Sequence, residues 1–219
     1  MASGQREGAP EPASARRLVE VLEEARRLGF LGPGPVADHI LHARAYAAAG
    51  SGDPSRPSLD LGSGGGVPGL VLAAEGGERR WTLVEANQRR CTFLVQAVAS
   101  LDLGTRVEVV GGRAEQVGRE SGHRGRYGTV VARGFGRPAV TAECAAPFLA
   151  RGGLLLVSEP PEGTAEGHER WPAAGLDRMG LVLRTITPGP PRIAVLQQAG
   201  ACPDRFPRRV GIPAKRPLW

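Results

Sequence analysis

Three glycines at alternate positions, Gly62, Gly64 and Gly66, follow directly on a short apolar run that ends at Leu61. Without a Cβ, such residues let the chain turn sharply and let a ligand lie against the main chain. The helix that begins near Val67–Pro68 offers N–H groups with no partner inside the helix. Glu85 ends the next apolar run, where a carboxylate is placed to accept hydrogen bonds from both ribose hydroxyls of a nucleoside cofactor. NAD(P) binders share this logic. Two features point away from them. The loop reads Gly-x-Gly-x-Gly rather than Gly-x-Gly-x-x-Gly, and the polar turn Gly112–Glu115 is placed to bracket an adenine. Arg133 closes a further apolar run. It is a candidate to contact a cofactor carboxylate or an RNA phosphate, the alternative being neutralisation of a nearby carboxylate.

These residues need strands to carry them. Candidate strands are Ser58–Gly62, Trp81–Glu85, Arg106–Val110, Thr129–Ala132, Leu154–Ser158, Leu181–Ile186 and Ile193–Gln197. Candidate helices between them are Pro68–Ala74, Gln88–Leu101, Ala114–Gly118, Ala139–Ala150 and about Gly167–Met179. Strands alternating with helices predict a parallel, doubly wound α/β sheet. The last two strands are joined only by Thr187–Pro191, which predicts an antiparallel hairpin. Two helices are expected before the sheet, Ala15–Gly29 from its 3.6-residue apolar period and Pro35–Ala49, which carries His39 and His42. The expected organisation is a disordered lead-in (1–14), a helical extension (15–50), a polar linker, the cofactor-binding domain (58–198) and a basic Pro/Arg-rich tail (199–219).

The chain has 219 residues, 41% of them hydrophobic, enough for one α/β domain with extensions. Net charge is +6, and every basic residue except Lys215 is arginine. The excess favours an anionic partner, since a guanidinium grips two phosphate oxygens at once; arginine-rich codon usage is the alternative source. Cys91, Cys144 and Cys202 are widely spaced without a Cys-x-x-Cys pair, which argues against a disulfide framework and against a metal site. No membrane-length apolar run and no signal segment are present, so a cytoplasmic protein is expected.

Five stretches together resemble the GidB/RsmG family of small-subunit (16S) ribosomal RNA guanine 7-methyltransferases. They are Leu59–Leu70 (LDLGSGGGVPGL), Leu83–Leu94 (LVEANQRRCTFL), Val109–Glu115 (VVGGRAE), Val130–Phe135 (VVARGF) and the tail Phe206–Leu218 (FPRRVGIPAKRPL). The resemblance runs from Val36 to the C-terminus. It implies a class I methyltransferase (Rossmann-like) fold of seven strands ending in an antiparallel hairpin. It also implies S-adenosyl-L-methionine as cofactor and ribosomal RNA or a 30S assembly particle as partner, with a monomeric protein. Carried over by position, the cofactor contacts are Gly62, Val67, Ala114, Glu115 and Arg133; Gly64, Gly66 and Glu85 join them on the grounds above. Substrate contacts are expected from Arg133, Phe135, Arg208, Arg209, Lys215 and Arg216. The tail is read either as a phosphate-binding element, as an arm packed across the domain, or as a disordered basic segment. His39 falls where the family often has a histidine, a helix-capping or core role being the alternative.

No catalytic acid or base is nominated. Guanine N7 already carries a lone pair and loses no proton on attack, and no Asn/Asp-Pro-Pro-Tyr motif stands after the fourth strand. The chain departs from the family at Leu156–Glu162 (LVSEPPE), where acidic residues stand in place of an expected lysine, and in a short N-terminal segment. An acidic patch there would disfavour an RNA phosphate. Two other readings therefore stand beside the first: a small-molecule methyltransferase of the same fold, and a non-catalytic ribosome- or RNA-binding module with a degenerate pocket.

Overall fold

A computed structural model describes residues 13–161 and 169–219. The expected lead-in lies outside the described residues apart from positions 13 and 14, which belong to the first helix, α1 (Ala13–Arg27). Helix α2 (Val36–Ala49) follows, and then the alternation begins. It runs β1 (Ser58–Leu61), α3 (Gly69–Glu75), β2 (Trp81–Glu85), α4 (Gln88–Ser100), β3 (Val107–Gly111), α5 (Ala114–Val117), β4 (Tyr127–Ala132), α6 (Pro138–Ala145), β5 (Leu149–Glu159), α7 (Ala173–Asp177), β6 (Leu181–Ile186) and β7 (Arg192–Gln198). A one-turn helix, α8 (Ile212–Lys215), sits in the tail.

The seven strands form one sheet in the order β3-β2-β1-β4-β5-β7-β6. Strands β1 to β5 are mutually parallel, and β7 runs antiparallel to both β5 and β6. The predicted hairpin is therefore present. Parallel strands covered on both faces need apolar residues throughout, and β1, β2 and β4 are buried at every position. Successive residues feed opposite faces. Leu83, Val131 and Leu156 join the core under α1–α4, while Val84, Val130 and Leu155 join the core under α5–α7. Leu18 and Leu22 of α1 and Ile40 and Ala43 of α2 belong to the first of these cores.

Some boundaries differ from expectation. The segment read as one helix, 139–150, ends as a helix at Ala145, passes through a 3-10 turn at Ala146–Phe148 and enters β5 at Leu149. Pro147 stops the helix, because it lacks the N–H that an interior turn requires. The helix expected at 167–179 is limited to Ala173–Asp177, and its expected start falls outside the described residues.

The tail packs across the second face as an arm. Phe206 is buried in the core there. Arg124 donates to the carbonyls of Cys202, Pro203 and Phe206 at 2.8–3.1 Å. Arg208 forms a two-pronged ion pair with Glu143 at 2.6 and 2.8 Å, and Glu143 is completely buried. At the C-terminus the Trp219 indole donates to Arg170 O at 3.1 Å and packs where a Cβ on Gly175 would stand.

Removing one partner of a buried ion pair leaves a charge without compensation, at a cost of about 3–5 kcal/mol. Arg208→Gln is therefore expected to lower unfolding free energy by about that amount in urea titration. A loss below about 1 kcal/mol would mean that the Glu143 pair does not hold the arm.

Candidate functional site

The carboxyl ends of the parallel strands converge on a cavity of about 290 Å³. Such a crevice is where open α/β sheets bind ligands. The glycine loop reaches its wall at Gly62. Gly62, Gly64 and Gly66 have φ of 75°, 55° and 92°, a backbone region that L side chains rarely adopt. The loop is tied down at both ends, since Gly62 N donates to Val84 O at 2.9 Å and Gly66 N to Ser63 O at 2.7 Å. Gly65 allows close packing from below: a Cβ there would stand 2.7 Å from Leu31 and 2.9 Å from Phe30 O.

Glu85 organises this loop directly. Its Oε2 accepts from Gly64 N at 2.9 Å, and its Oε1 accepts from Asn87 N at 2.7 Å. Asn87 in turn caps α4 by accepting from Arg90 N. A carboxylate has about four acceptor sites, so two remain on Glu85, which lines the cavity.

Asp60 carries comparable weight and was not singled out in the sequence. It sits in the fully buried β1, and its Oδ2 accepts from Gly69 N at the start of α3, at 2.9 Å. Gly69 has to be glycine for this, because a Cβ would lie 2.4 Å from Asp60 Cβ. The family-like Val-Pro-Gly stretch thus brings a helix N-terminus onto a buried carboxylate. Asp60 Oδ1 is buried and has no hydrogen-bond partner among the described residues. Burial raises the Asp60 pKa to about 7, and the Glu85 charge adds to the rise. A charged residue inside an otherwise apolar strand was the available signal.

Of the residues expected to hold cofactor, Gly62, Glu85, Ala114 and Glu115 line the cavity together with Phe135. Gly64 and Gly66 shape the loop, and Val67 is buried in the core beneath it. The Phe135 ring lies against Gly62, 2.7 Å from where a Cβ would stand. Glu115 has a second task, since its Oε1 accepts from Gly211 N of the tail at 2.9 Å. Through Ala214 the tail supplies part of the cavity wall, which spacing could not show. Arg90 and Arg113 also line the cavity and were not nominated.

Arg133 is not among the residues lining this cavity and meets α2 instead. Its Nη2 lies 2.8 Å from His39 Nδ1, and His39 Nε2 lies 3.2 Å from Gly32 O. A guanidinium only donates, so His39 Nδ1 accepts and Nε2 carries the hydrogen. His39 is a buried bridge between β4 and the loop before α2, as the core reading of that residue expected. Nearby, burial and then the Arg133 charge push His42 down to about 4, which keeps its ring neutral. Tyr46 donates to Ala132 O at 2.9 Å and closes the same junction.

Two substrate-side expectations are corrected. Arg208 is held by Glu143, leaving Arg205, Arg209, Lys215 and Arg216 as the exposed cations of the tail. The expected acidic patch does not exist at Glu159, whose side chain is 2% exposed and is bound by Arg170 at 2.7 Å and by the Trp171 indole at 3.1 Å. Glu162 lies outside the described residues.

A seven-stranded sheet with one reversed strand and a glycine cradle at its carboxyl edge defines a class I methyltransferase. Solved structures agree on the fold. An O-methyltransferase from Bacillus cereus in complex with SAH superposes with a TM-score of 0.57 at 16% identity, covering 86% of this chain and 91% of the other. The cofactor-bound protein Rv0187 from MTB gives 0.57 at 18% identity, covering 86% and 91%.

The family follows from sequence. Residues 36–170 match the GidB family model, described as rRNA small subunit methyltransferase G. Proteins of that name are 39% identical over 166 residues in Thermotoga neapolitana (73% of this chain, 70% of the relative) and 36% identical over 197 in Roseiflexus castenholzii (84% and 79%). The chain belongs to the GidB family.

The raised Asp60 pKa makes a pH prediction. A carboxyl whose folded pKa exceeds its unfolded value favours folding most below the unfolded value, here 3.8. That contribution is lost as pH rises toward about 7. The stability of Asp60→Asn relative to the unsubstituted protein should therefore rise between pH 4 and pH 7 and level off above, by roughly 1.4 kcal/mol per pH unit at most. A difference flat with pH would show that Asp60 does not titrate there.

Proposed function

We propose that this chain transfers a methyl group from S-adenosylmethionine to N7 of a guanine in small-subunit ribosomal RNA. The observation that carries this reading is the cavity at the sheet's carboxyl edge, in which the glycine loop is tied to Glu85 in a chain of this family. The residues present fit the cofactor. Asp60 offers a buried oxygen without a partner, Glu85 keeps acceptor sites for ribose hydroxyls, and a Cβ at Gly62 would meet the Phe135 ring.

S-adenosylmethionine supplies an activated methyl on a sulfonium. The chain's own residues bind, orient and exclude water. In this reading Gly62, Gly64, Gly66 and Val67 form and support the loop that carries the cofactor's main chain, and the unpartnered Asp60 Oδ1 is available to its ammonium group. Glu85 takes the ribose, and Ala114 with Glu115 flanks the adenine. Guanine N7 needs no deprotonation, so no side chain acts as base. Phe135, against Gly62, offers a stacking surface for the target base. Arg133 acts from behind the site, orienting α2 through His39. Arg209, Lys215 and Arg216 on the arm are exposed, which supports phosphate contact in this reading. The internal neutralisation of Glu159 takes one of the two acidic residues away from the small-molecule reading. No helix among the described residues is long and apolar enough to cross a membrane. A monomer acting in the cytoplasm on ribosomal RNA or a 30S assembly particle is part of this proposal.

Mass spectrometry of small-subunit RNA from a strain deleted for this gene should show loss of 7-methylguanosine, regained on complementation. An unchanged content would refute the reading. Glu85→Gln is expected to weaken S-adenosylmethionine binding by at least about tenfold, near 1.4 kcal/mol, in calorimetry. RNA affinity should be preserved in the same variant.

A further inference from the structure

A further cleft lies at the other end of the sheet, a strand length of ~17 Å from the cofactor cavity. It encloses about 770 Å³ and is lined at the amino ends of four adjacent strands. Arg106 immediately precedes β3, Arg80 precedes β2, Arg126 precedes β4, and Arg56 stands two residues before β1. In the sheet order β3-β2-β1-β4 these arginines form a row, Arg106, Arg80, Arg56, Arg126. Neighbouring strands are about 4.8 Å apart, so the row extends over about 14 Å.

The row is largely uncompensated. Arg80 and Arg126 are exposed and have no ion-pair partner among the described residues; Arg126 donates only to Gly122 O at 3.2 Å. Arg106 donates to Ala73 O at 2.7 Å, and Arg56 makes one exposed contact with Asp53 at 3.5 Å. Glu108 is the carboxylate lining the cleft, and it accepts from Thr82 Oγ1 at 2.8 Å. Against four guanidinium groups stand Glu108 and Asp53, which leaves a net charge of two positive. Arg79, next in sequence to Arg80, shows the contrast. It is turned inward onto Ser58 Oγ, Thr129 Oγ1 and Gly52 O and fastens the edge. Thr105 adds an exposed hydroxyl to the cleft, whereas the Ser55 and Tyr127 hydroxyls are already spent on Asp53 and Thr82.

We propose that this cleft is a second RNA-binding surface, gripping phosphates of the same RNA at a distance from the methylated nucleotide. A row of guanidinium forks spaced along a sheet edge suits a run of phosphodiesters, which each fork can engage with two hydrogen bonds. The Thr105 hydroxyl beside the forks suits a sugar or phosphate oxygen. The edge is too far from the cofactor cavity to hold the reacting base, so it contributes affinity and orientation and leaves chemistry untouched. The inference rests on the reading that the acceptor is RNA.

The test compares Arg80→Gln/Arg126→Gln with a charge-matched control on other surfaces, Arg16→Gln/Arg178→Gln. Both pairs are exposed, and thermal melts should leave both near the parent. Binding to 16S RNA is measured across salt concentrations. Each phosphate contact contributes about 0.7–0.9 to the slope of log K against log salt. The cleft variant is expected to lower that slope by about 1.5, to raise KM for the RNA substrate, and to leave kcat and S-adenosylmethionine binding unchanged; the control leaves all four in place. A cleft variant with the parental slope overturns the proposal. So does an equal fall in the control, or a variant that loses binding only to anionic phospholipid vesicles. If the parent protein transfers no methyl group to ribosomal RNA, the functional reading fails on its own, and the salt slope still decides the cleft.

Discussion

The Glu85 carboxylate holds the site together. One of its oxygens fixes Gly64 and the other fixes Asn87, so a single side chain sets both the glycine loop after β1 and the start of α4 after β2. Three residues in left-handed backbone geometry would not hold that shape by local preference. The loop persists because its N–H groups find acceptors that a parallel sheet brings to the same edge. The pairing of β1 with β2, which places Leu61 opposite Val84, puts the loop and the carboxylate side by side.

Around that centre, three peripheral segments close the walls. From below, Phe30 and Leu31 pack under Gly65, so the chain between α1 and α2 supports the loop. From the side, α2 is bound to the end of β4 through Arg133, His39 and Tyr46. Across the second face runs the C-terminal arm, held by Glu143 at Arg208 and by Glu115 at Gly211. Buried carboxylates on the domain thus meet cations and N–H groups on the arm. Glu115 belongs to both the cavity wall and this attachment, which couples the arm's position to the shape of that end of the cavity.

Arginine in this chain serves three distinct ends. Arg208, Arg124 and Arg79 are structural, satisfying carbonyls, hydroxyls and a buried carboxylate. Arg133 is a positioning group. Arg80 and Arg126 remain on the surface without countercharge among the described residues. The net charge of +6 is therefore unevenly distributed, and a count of basic residues overstates what is available to an anionic partner.

Sequence alone determined the α/β alternation, the reversed last strand and the glycine loop with an acidic residue at the neighbouring strand end. Apolar strands, glycine spacing and an acidic strand end are local signals, each caused by backbone sterics or by two-sided burial. The elements β2 and β6 coincide residue for residue with the predicted ones. Helix ends near Pro147 were less legible, because the chain passes there straight into a long strand that local propensity did not mark. What only the tertiary structure decided is which charges are already used. Glu159 reads as a repulsive surface charge until Arg170 is seen against it, and Arg208 as a phosphate ligand until Glu143 is. Asp60 reads as part of a loop motif until its second oxygen is seen buried without a partner. Ion pairing and burial depend on residues that are 65 positions apart in sequence for Arg208 and Glu143, and no pattern along the chain encodes such a meeting.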